Sequence, residues 1–594
     1  MSFVPRAARR TCLILAPLLA AAAPSTAQLS VTLDVTPSDF QFAGTPVIMT
    51  AAAAGSSETP VFQFAYRPLF TSPWRVLRDF YHPDRFDWVT LDAGLYELKV
   101  TARVDSTGET AEATGFILVA SFGQAVPTVA ATTHPLIALY SAPPCAPGGA
   151  MLVRFRREGA QFWQYTTPKL CRPSAALNFH VAGLRPDTTY TLQHGVVGGP
   201  SPGLGPELTF RSGTPDVPLP VVTVDTPASA ATSFLQSVVL QSVIGNVPYS
   251  YPVATDLGGE VIWYYPLVQT TLTRPLFGGT MLVLVRDGVN GRILREIDLA
   301  GNVVRETNSL EVSRQLVALG HDPIGVFHHE ALRLPNGHTL AIASVERILT
   351  DVQGPGPVNV YGEIIVDLDE NLQVAWAWNG FDHLDASRVA VLGETCTFEG
   401  PGCPALFLDP VANDWLHANS IGYVPDDGNL ILSLRHQDWV VKIAYEDGTG
   451  SGAVLWRLGP EGDFAVQSED PWPWFSHQHD AKLAGGRMLL YDNGNTRVSE
   501  MGDGNSRGQT YDLDESTMTA TLDMNLDLGA YASALGSAQP LVNGNFHFDN
   551  GFLGSPADPS GEAHETRTDG SSAYVSRVNA FVYRSFRMWD LYRP

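Results

Sequence analysis

Short apolar runs broken by glycine- and aspartate-rich turns fill the chain. Stretches such as Val61-Phe62-Gln63-Phe64-Ala65-Tyr66 and Gly94-Leu95-Tyr96-Glu97-Leu98-Lys99-Val100 alternate apolar with polar or small residues. A period of two sets alternate side chains on one face of a strand, whereas a helix needs recurrence every three to four residues. The pattern predicts an all-β protein.

Beyond about residue 220 the pattern repeats. One unit is a strand ending near an aspartate, a tight turn and a second strand. It occurs at Thr255-Asp256-Leu257-Gly258-Gly259-Glu260-Val261, at Glu296-Ile297-Asp298-Leu299-Ala300-Gly301-Asn302-Val303, and at Ile365-Val366-Asp367-Leu368-Asp369-Glu370-Asn371. Looser copies run over 441–456 and 511–522. A second unit is a hairpin on a glycine turn: Leu334-Pro335-Asn336-Gly337-His338, Asp426-Asp427-Gly428-Asn429, and Leu541-Val542-Asn543-Gly544-Asn545. Asn-Gly and Asp-Gly supply the positive φ such turns need. Hairpins recurring without helical periodicity predict four-stranded blades, and their number predicts a six-bladed β-propeller over residues 220–594. A solenoid or a pair of sandwiches is the competing architecture.

Two sandwiches are expected ahead of it. Residues 28–125 carry a late-strand pattern of an immunoglobulin-like sheet. Residues 126–213 contain Gly183-Leu184-Arg185-Pro186-Asp187-Thr188-Thr189-Tyr190, similar to the turn and buried tyrosine of a fibronectin III-like fold. The proline-rich stretch Thr214–Pro220 makes a stiff joint. Residues 1–27 read as a signal peptide: Arg6, Arg9 and Arg10 precede the apolar run 13–23, and Ser25-Thr26-Ala27 offers a cleavage site. The run is short and interrupted by Pro17, so a membrane anchor is the weaker reading and no membrane insertion is expected. An exported protein, periplasmic or extracellular, follows.

Composition sharpens this picture. The 594 residues hold 54 Gly and 43 Pro, and acidic residues outnumber basic ones 61 to 37, a formal net charge of −24. So acidic a chain is a poor partner for nucleic acid or an anionic membrane. Without Cys12, in the leader, the cysteines are Cys145, Cys171, Cys396 and Cys403. An even number in an exported chain predicts disulfides, and proximity favours 145–171 and 396–403. No CxxC pair or histidine at zinc-ligand spacing accompanies them.

Candidate chemistry lies in three histidine-bearing segments: Phe327-His328-His329-Glu330, Asp414-Trp415-Leu416-His417-Ala418-Asn419-Ser420, and Phe475-Ser476-His477-Gln478-His479-Asp480. Each begins a repeat, and equivalent starts of successive inner strands converge at one mouth of a propeller. Any one of these histidines, taken alone, would be explained as the hydrogen-bonded anchor of a turn. Arg435, one hairpin after His417, is costly to bury unless an anion pairs with it.

These segments resemble the bacterial arylsulfate sulfotransferases that work without PAPS (ASST). The resemblance rests on Asp414 to Ser420, the arginine strand through Val440-Val441-Lys442-Ile443, Leu455-Trp456-Arg457-Leu458-Gly459, and Gln478-His479 followed by Leu490-Tyr491-Asp492-Asn493-Gly494-Asn495 and Arg497. The His-His-Glu element with Leu334-Pro335-Asn336-Gly337 is similar to the family's earlier histidine strand. It covers about residues 220–594. It implies that His479 carries the sulfuryl group, that His329 and His417 support it, and that Arg435 binds the sulfuryl oxygens. It further implies an aryl sulfate donor, a phenolic acceptor and no cofactor or metal. The sequence departs from the family pattern at the additional histidines His436 and His477, and His328 leaves the register of the first motif open by one residue. A neutral imidazole suits this chemistry because it approaches a sulfate monoester without repulsion. The sequence contains no phosphate-loop motif. Pro471-Trp472-Pro473-Trp474-Phe475 is a candidate aryl wall, with ordinary packing as the alternative. Two other functions fit the same features: a metal-dependent propeller hydrolase using the three histidines as ligands, and a non-catalytic carbohydrate- or surface-binding protein.

Overall fold

The structure, a computed structural model, describes residues 1–2, 28–71, 73–287, 291–398, 400 and 403–594. All of the expected leader except Met1 and Ser2 lies outside the described residues. The described chain is all-β, with α-helix confined to Ser309–Ala318, Asn495–Met501 and the single turn Gly380–His383. No helix among the described residues is long and apolar enough to cross a membrane.

Near the N-terminus, strands Ser30–Thr36, Val47–Ala54 and Arg85–Trp88 form one sheet. Strands Val61–Pro68, Arg75–Tyr81, Gly94–Arg103 and Thr110–Ala120 belong to another, and Met49, Phe64, Trp88, Leu98 and Ile117 share the core between them. The alternation read from Gly94–Val100 is the buried and exposed alternation of this strand, with Tyr96, Leu98 and Val100 inward. Next come a three-stranded sheet (Thr128–Ala131, Ala138–Ala142, Leu177–Val181) and a second sheet built on Gly149–Arg157 and Thr189–Gly198. Here the Tyr190 hydroxyl oxygen accepts the Arg185 N–H at 2.8 Å, pinning the turn that the sequence pattern marks. Cys145–Cys171 and Cys396–Cys403 are both disulfide-bonded, as expected.

From Val222 onward, six sheets follow one another. The first holds Val238–Ile244, Pro252–Asp256 and Val261–Tyr264. The second runs from Thr270–Leu276 to Val303–Asn308, and the third from Phe327–Arg333 to Val374–Asn379. The fourth runs from Ala418–Val424 to Val454–Leu458, the fifth from His479–Ala484 to Thr519–Asp527, and the sixth from Ser537–Pro540 to Ser572–Val578. The last strand, Phe581–Met588, pairs antiparallel with Val238–Ile244, while Val222–Thr226 pairs with Ser572–Val578. Each end of the region thus completes a sheet begun at the other end.

Both sequence repeats have fixed places in these sheets. The glycine hairpins join first to second strands, and Gly337, Gly428 and Gly544 adopt φ of 90°, 70° and 86° there. The aspartate turns join third to fourth strands. Asp298 Oδ1 accepts the Asn302 N–H at 2.9 Å, and Asp369 Oδ1 accepts those of Asn371 and Gln373 at 2.7 and 2.9 Å. A carboxylate that caps its own turn is why this residue recurs. Apolar side chains fill the space between neighbouring sheets, for example Leu340, Ile342, Trp378, Trp415, Leu432 and Trp439 between the third and fourth.

The first strands also converge. Glu330 takes Arg274 at 2.8 Å and Arg584 at 2.7 Å, while Asp480 takes Lys482 at 2.5 Å and Arg274 at 3.4 Å. These residues come from four sheets and are mostly buried, so opposite charges compensate each other where water is scarce. Glu330 and Asp480 each follow a candidate site histidine by one residue.

Candidate active site

All three histidine strands depart from regular pairing at their starts. Register shifts fall between Phe327 and Ala331, Ala418 and Ser420, and His479 and Lys482. His329, His417, His477 and Asp480 adopt left-handed φ of 59°, 50°, 52° and 51°. Such values are uncommon for residues other than glycine, and bulges re-aim side chains out of the ladder. The repeated irregularity turns the imidazoles towards one another. The His329 and His417 ring centroids are 4.9 Å apart, and those of His417 and His436 are 4.5 Å apart. His329 therefore faces His417, whereas His328 is buried towards Tyr361.

His479 is 3% exposed, deeper than a residue at an open channel mouth would be. Its Nδ1 lies 2.7 Å from Asn493 Oδ1. The Asn493 amide nitrogen donates to the carbonyls of Ala532 and Leu535 at 2.7 and 2.9 Å, which fixes its oxygen as the acceptor. His479 must then carry its proton on Nδ1, leaving the Nε2 lone pair unprotonated. Burial first, then the charge of Arg435, holds this imidazole well below the ordinary histidine range, so it is neutral. Gln478 serves the scaffold: its amide donates to Ser433 Oγ at 3.0 Å and to the Trp439 carbonyl at 2.8 Å.

His417 Nδ1 lies 2.7 Å from Asp414 Oδ2. Burial favours the neutral carboxyl of Asp414, but His417 and His436 outweigh it and hold Asp414 well below the usual range, as a carboxylate. His329 shares a 2.6 Å Nδ1–Nδ1 hydrogen bond with His328, and burial, then the neighbouring histidines, keeps it neutral. Arg435 is half-buried and makes no ion pair among the described residues. One of its guanidinium nitrogens meets His436 Nε2 and another donates to the Ser533 carbonyl at 3.1 Å. An arginine lacking a carboxylate partner beside three imidazoles is suited to an oxyanion.

The structure thus brings together His329, His417, Arg435 and His479, the set chosen from sequence. It adds Asp414 and Asn493, whose orienting roles depend on hydrogen bonds that the motifs contain but do not declare. It also adds Arg292, on the strand Gly291–Asp298, whose charge reaches both His328 and His329. Nothing in its local sequence marks Arg292. The tryptophan-rich stretch is packing: Trp474 stacks on Tyr511 and Phe475 is 1% exposed in the same core. Near the histidines, Tyr583 lies 5.8 Å from His329 and Tyr361 lies 6.2 Å from His328. A cleft of about 700 Å³ is lined by Trp415, Gln437 and Trp439 among others, and no site histidine lines it.

Among the described residues, two groups gather potential metal ligands: Glu394, His436 and His477, and Asp414, His417 and His436. The nitrogens of His436 and His477 have other commitments. His436 gives Nδ1 to the Asp414 carbonyl at 2.8 Å and Nε2 to Arg435, while His477 bonds Asp438 through Nδ1 and Glu394 through Nε2. A guanidinium against the shared ligand His436 repels a cation.

Comparison with known proteins agrees with the geometry. No curated protein matches the chain. Among solved structures, the chicken interferon gamma receptor alpha chain is similar at 13% identity, over 30% of this chain and 96% of that one. Its TM-score of 0.13 carries no argument. The model of the arylsulfotransferase (ASST) family matches residues 223–584, well over half of the chain, and spans all four candidate residues. The chain belongs to the arylsulfotransferase family.

Proposed function

We propose that the protein moves a sulfuryl group from an aryl sulfate ester to a phenolic acceptor through a sulfohistidine on His479, without PAPS. The six sheets are the blades of a propeller, the two N-terminal units are sandwich domains, and the enzyme acts outside the cytoplasm. The observation that carries the mechanism is the Asn493–His479 hydrogen bond, which leaves Nε2 free to attack.

In the first half-reaction, the Nε2 lone pair forms a bond to sulfur as the S–O bond to the aryl group breaks. The aryl oxygen departs with the bonding pair and takes a proton from Nε2 of His417, whose other nitrogen is held by Asp414. In the second, the acceptor hydroxyl returns a proton to His417 as its oxygen bonds to sulfur and the S–N pair goes back to His479. An amide at Nδ1 cannot remove the proton there, so the adduct stays cationic and a good leaving group. Arg435, with His329 and Arg292, faces the charge on the sulfuryl oxygens.

The test uses a chromogenic aryl sulfate. Donor alone should release phenol as a burst of up to one equivalent per site, and full turnover should follow ping-pong kinetics. The acid-labile adduct should map to the peptide holding His479. His479→Asn should abolish burst and adduct with its unfolding midpoint showing an intact fold. Sequential kinetics with no adduct on the wild-type enzyme would overturn the proposal.

A further inference from the structure

We infer that His477 is a positioning residue that holds the Glu394 carboxylate away from Arg435, so that the arginine's charge stays free for the anionic group of the substrate. The inference rests on the reading that Arg435 binds the sulfuryl group. His477 and His436 are the two histidines that depart from the family pattern, and the mechanism uses neither.

The arrangement starts from an arginine in danger of being neutralised. Glu394 exerts the strongest carboxylate influence on Arg435, and its Oε1 lies 3.9 Å from His436 Nε2, the atom on which the guanidinium rests. An ion pair between Glu394 and Arg435 would fill the anion site from within. His436 does not provide that pairing. It donates Nδ1–H to the Asp414 carbonyl, so its Nε2 is a neutral acceptor that orients the guanidinium without cancelling its charge.

His477 provides the restraint. It is 0% exposed, and both ring nitrogens face carboxylates. Nδ1 lies 2.8 Å from Asp438 Oδ1, which also accepts the His477 N–H at 2.7 Å, and Nε2 bonds Glu394 Oε1. Asp438 is itself fixed by Thr496 Oγ1 at 2.7 Å, and the other Glu394 oxygen accepts the Leu392 N–H at 3.1 Å. An imidazole between two carboxylates donates from both nitrogens only as the imidazolium. The charged or titratable groups facing it are Asp438, Glu394, Arg435 and the ring of His436, 5.7 Å away. Burial opposes its charge, yet the two carboxylate bonds outweigh burial and raise its pKa. Burial likewise opposes ionisation of Glu394, and the bond to His477 overrides it, bringing Glu394 down to about 2.

The inference is tested by rescue, read in donor-only bursts so that acceptor ionisation does not enter. His477→Gln should raise the donor concentration for half-maximal burst about tenfold or more, while the adduct still forms at saturating donor. Glu394→Gln alone should stay within about twofold of wild type, and the double variant should return to within roughly threefold. A purely structural role for His477 predicts the reverse, a double variant no better than His477→Gln, and that result overturns the inference. A second measurement needs no change at His477. The wild-type half-saturation should climb as pH rises above the ordinary histidine range and His477 loses its proton, and Glu394→Gln should abolish the climb. A flat wild-type profile, or the same climb in Glu394→Gln, also overturns it. Arg435→Lys separates the two levels. If it leaves burst and half-saturation unchanged, the reading of Arg435 falls; if it impairs both while rescue fails, only the role of His477 falls.

Discussion

At the scale of single residues the candidate site keeps His329 and His479 neutral. Burial depresses His328 to about 3 and His134 to about 4, and it holds His329, His479 and His547 well below the ordinary range. His180 and His436 shift the same way. In the unfolded chain all of these protonate near pH 6.5, so below that value the unfolded state binds more protons and stability falls with pH. Three buried carboxyls oppose the trend: Asp79, raised to about 7 by burial, and Glu363 and Asp549, raised well above the usual range. Asp79 takes up a proton in the folded state from about pH 7 downward, Glu363 and Asp549 hold theirs more tightly still, and His477, raised by its two carboxylates, stays charged; the seven depressed imidazoles outweigh these four groups. The urea midpoint at pH 5.5 should therefore lie below that at pH 7.5, at fixed ionic strength. A midpoint that is constant or higher at pH 5.5 would show that these histidines are charged in the fold. The residue types of the site were legible because three repeats each placed a histidine at the same point. The partners that fix each tautomer were not, since Asn493 reaches His479 and Asp414 reaches His417 only through side-chain directions set by the bulges.

Secondary-structure elements were legible where turn chemistry is local. Asp298 and Asp369 cap their own turns, and Gly337 and Gly544 supply a positive φ, so a few consecutive residues carry the whole signal. Helix Ser309–Ala318 escaped the reading, although Asn308 caps it by accepting the Glu311 N–H at 3.0 Å and the Asn-x-x-Glu spacing is a capping signal. Close approach between sheets was not legible at all. Gly508, in the strand Arg507–Asp514, has the ring of Phe548 2.2 Å from where a Cβ would stand, and Phe548 is 0% exposed in the neighbouring sheet. Gly508→Ala must displace that ring or the strand, at a cost of roughly 1–3 kcal/mol for overpacking. Its thermal midpoint should drop by a few degrees, whereas Gly203→Ala, whose Cβ would meet no atom within 4 Å, should leave it unchanged. Equal midpoints for the two variants would mean that the fifth and sixth sheets are less tightly packed than described.

At the scale of the whole molecule, the sequence conveyed the number of sheets but not how they are tied to the N-terminal units. Arg75–Tyr81 runs parallel beside Val303–Asn308, and Arg78 meets Glu306 at 2.9 Å, a contact between residues 228 positions apart that no local pattern encodes. Net charge, by contrast, is read directly from composition and bears on function. A chain of −24 repels an anionic donor at long range, and on the proposed function Arg435 and Arg292 attract it only at close quarters. The Debye length shrinks from about 30 Å at 0.01 M salt to about 8 Å at 0.15 M, which screens the distant repulsion first and leaves the buried attraction nearly intact. The kcat/KM for an aryl sulfate donor should thus rise, by roughly two- to threefold, over that range of salt. The value for a neutral phenol acceptor, measured below the phenol's own pKa, should stay flat, because an uncharged molecule feels neither field. A donor kcat/KM that falls steadily with salt would mean that the local cations, rather than the acidic surface, govern the approach.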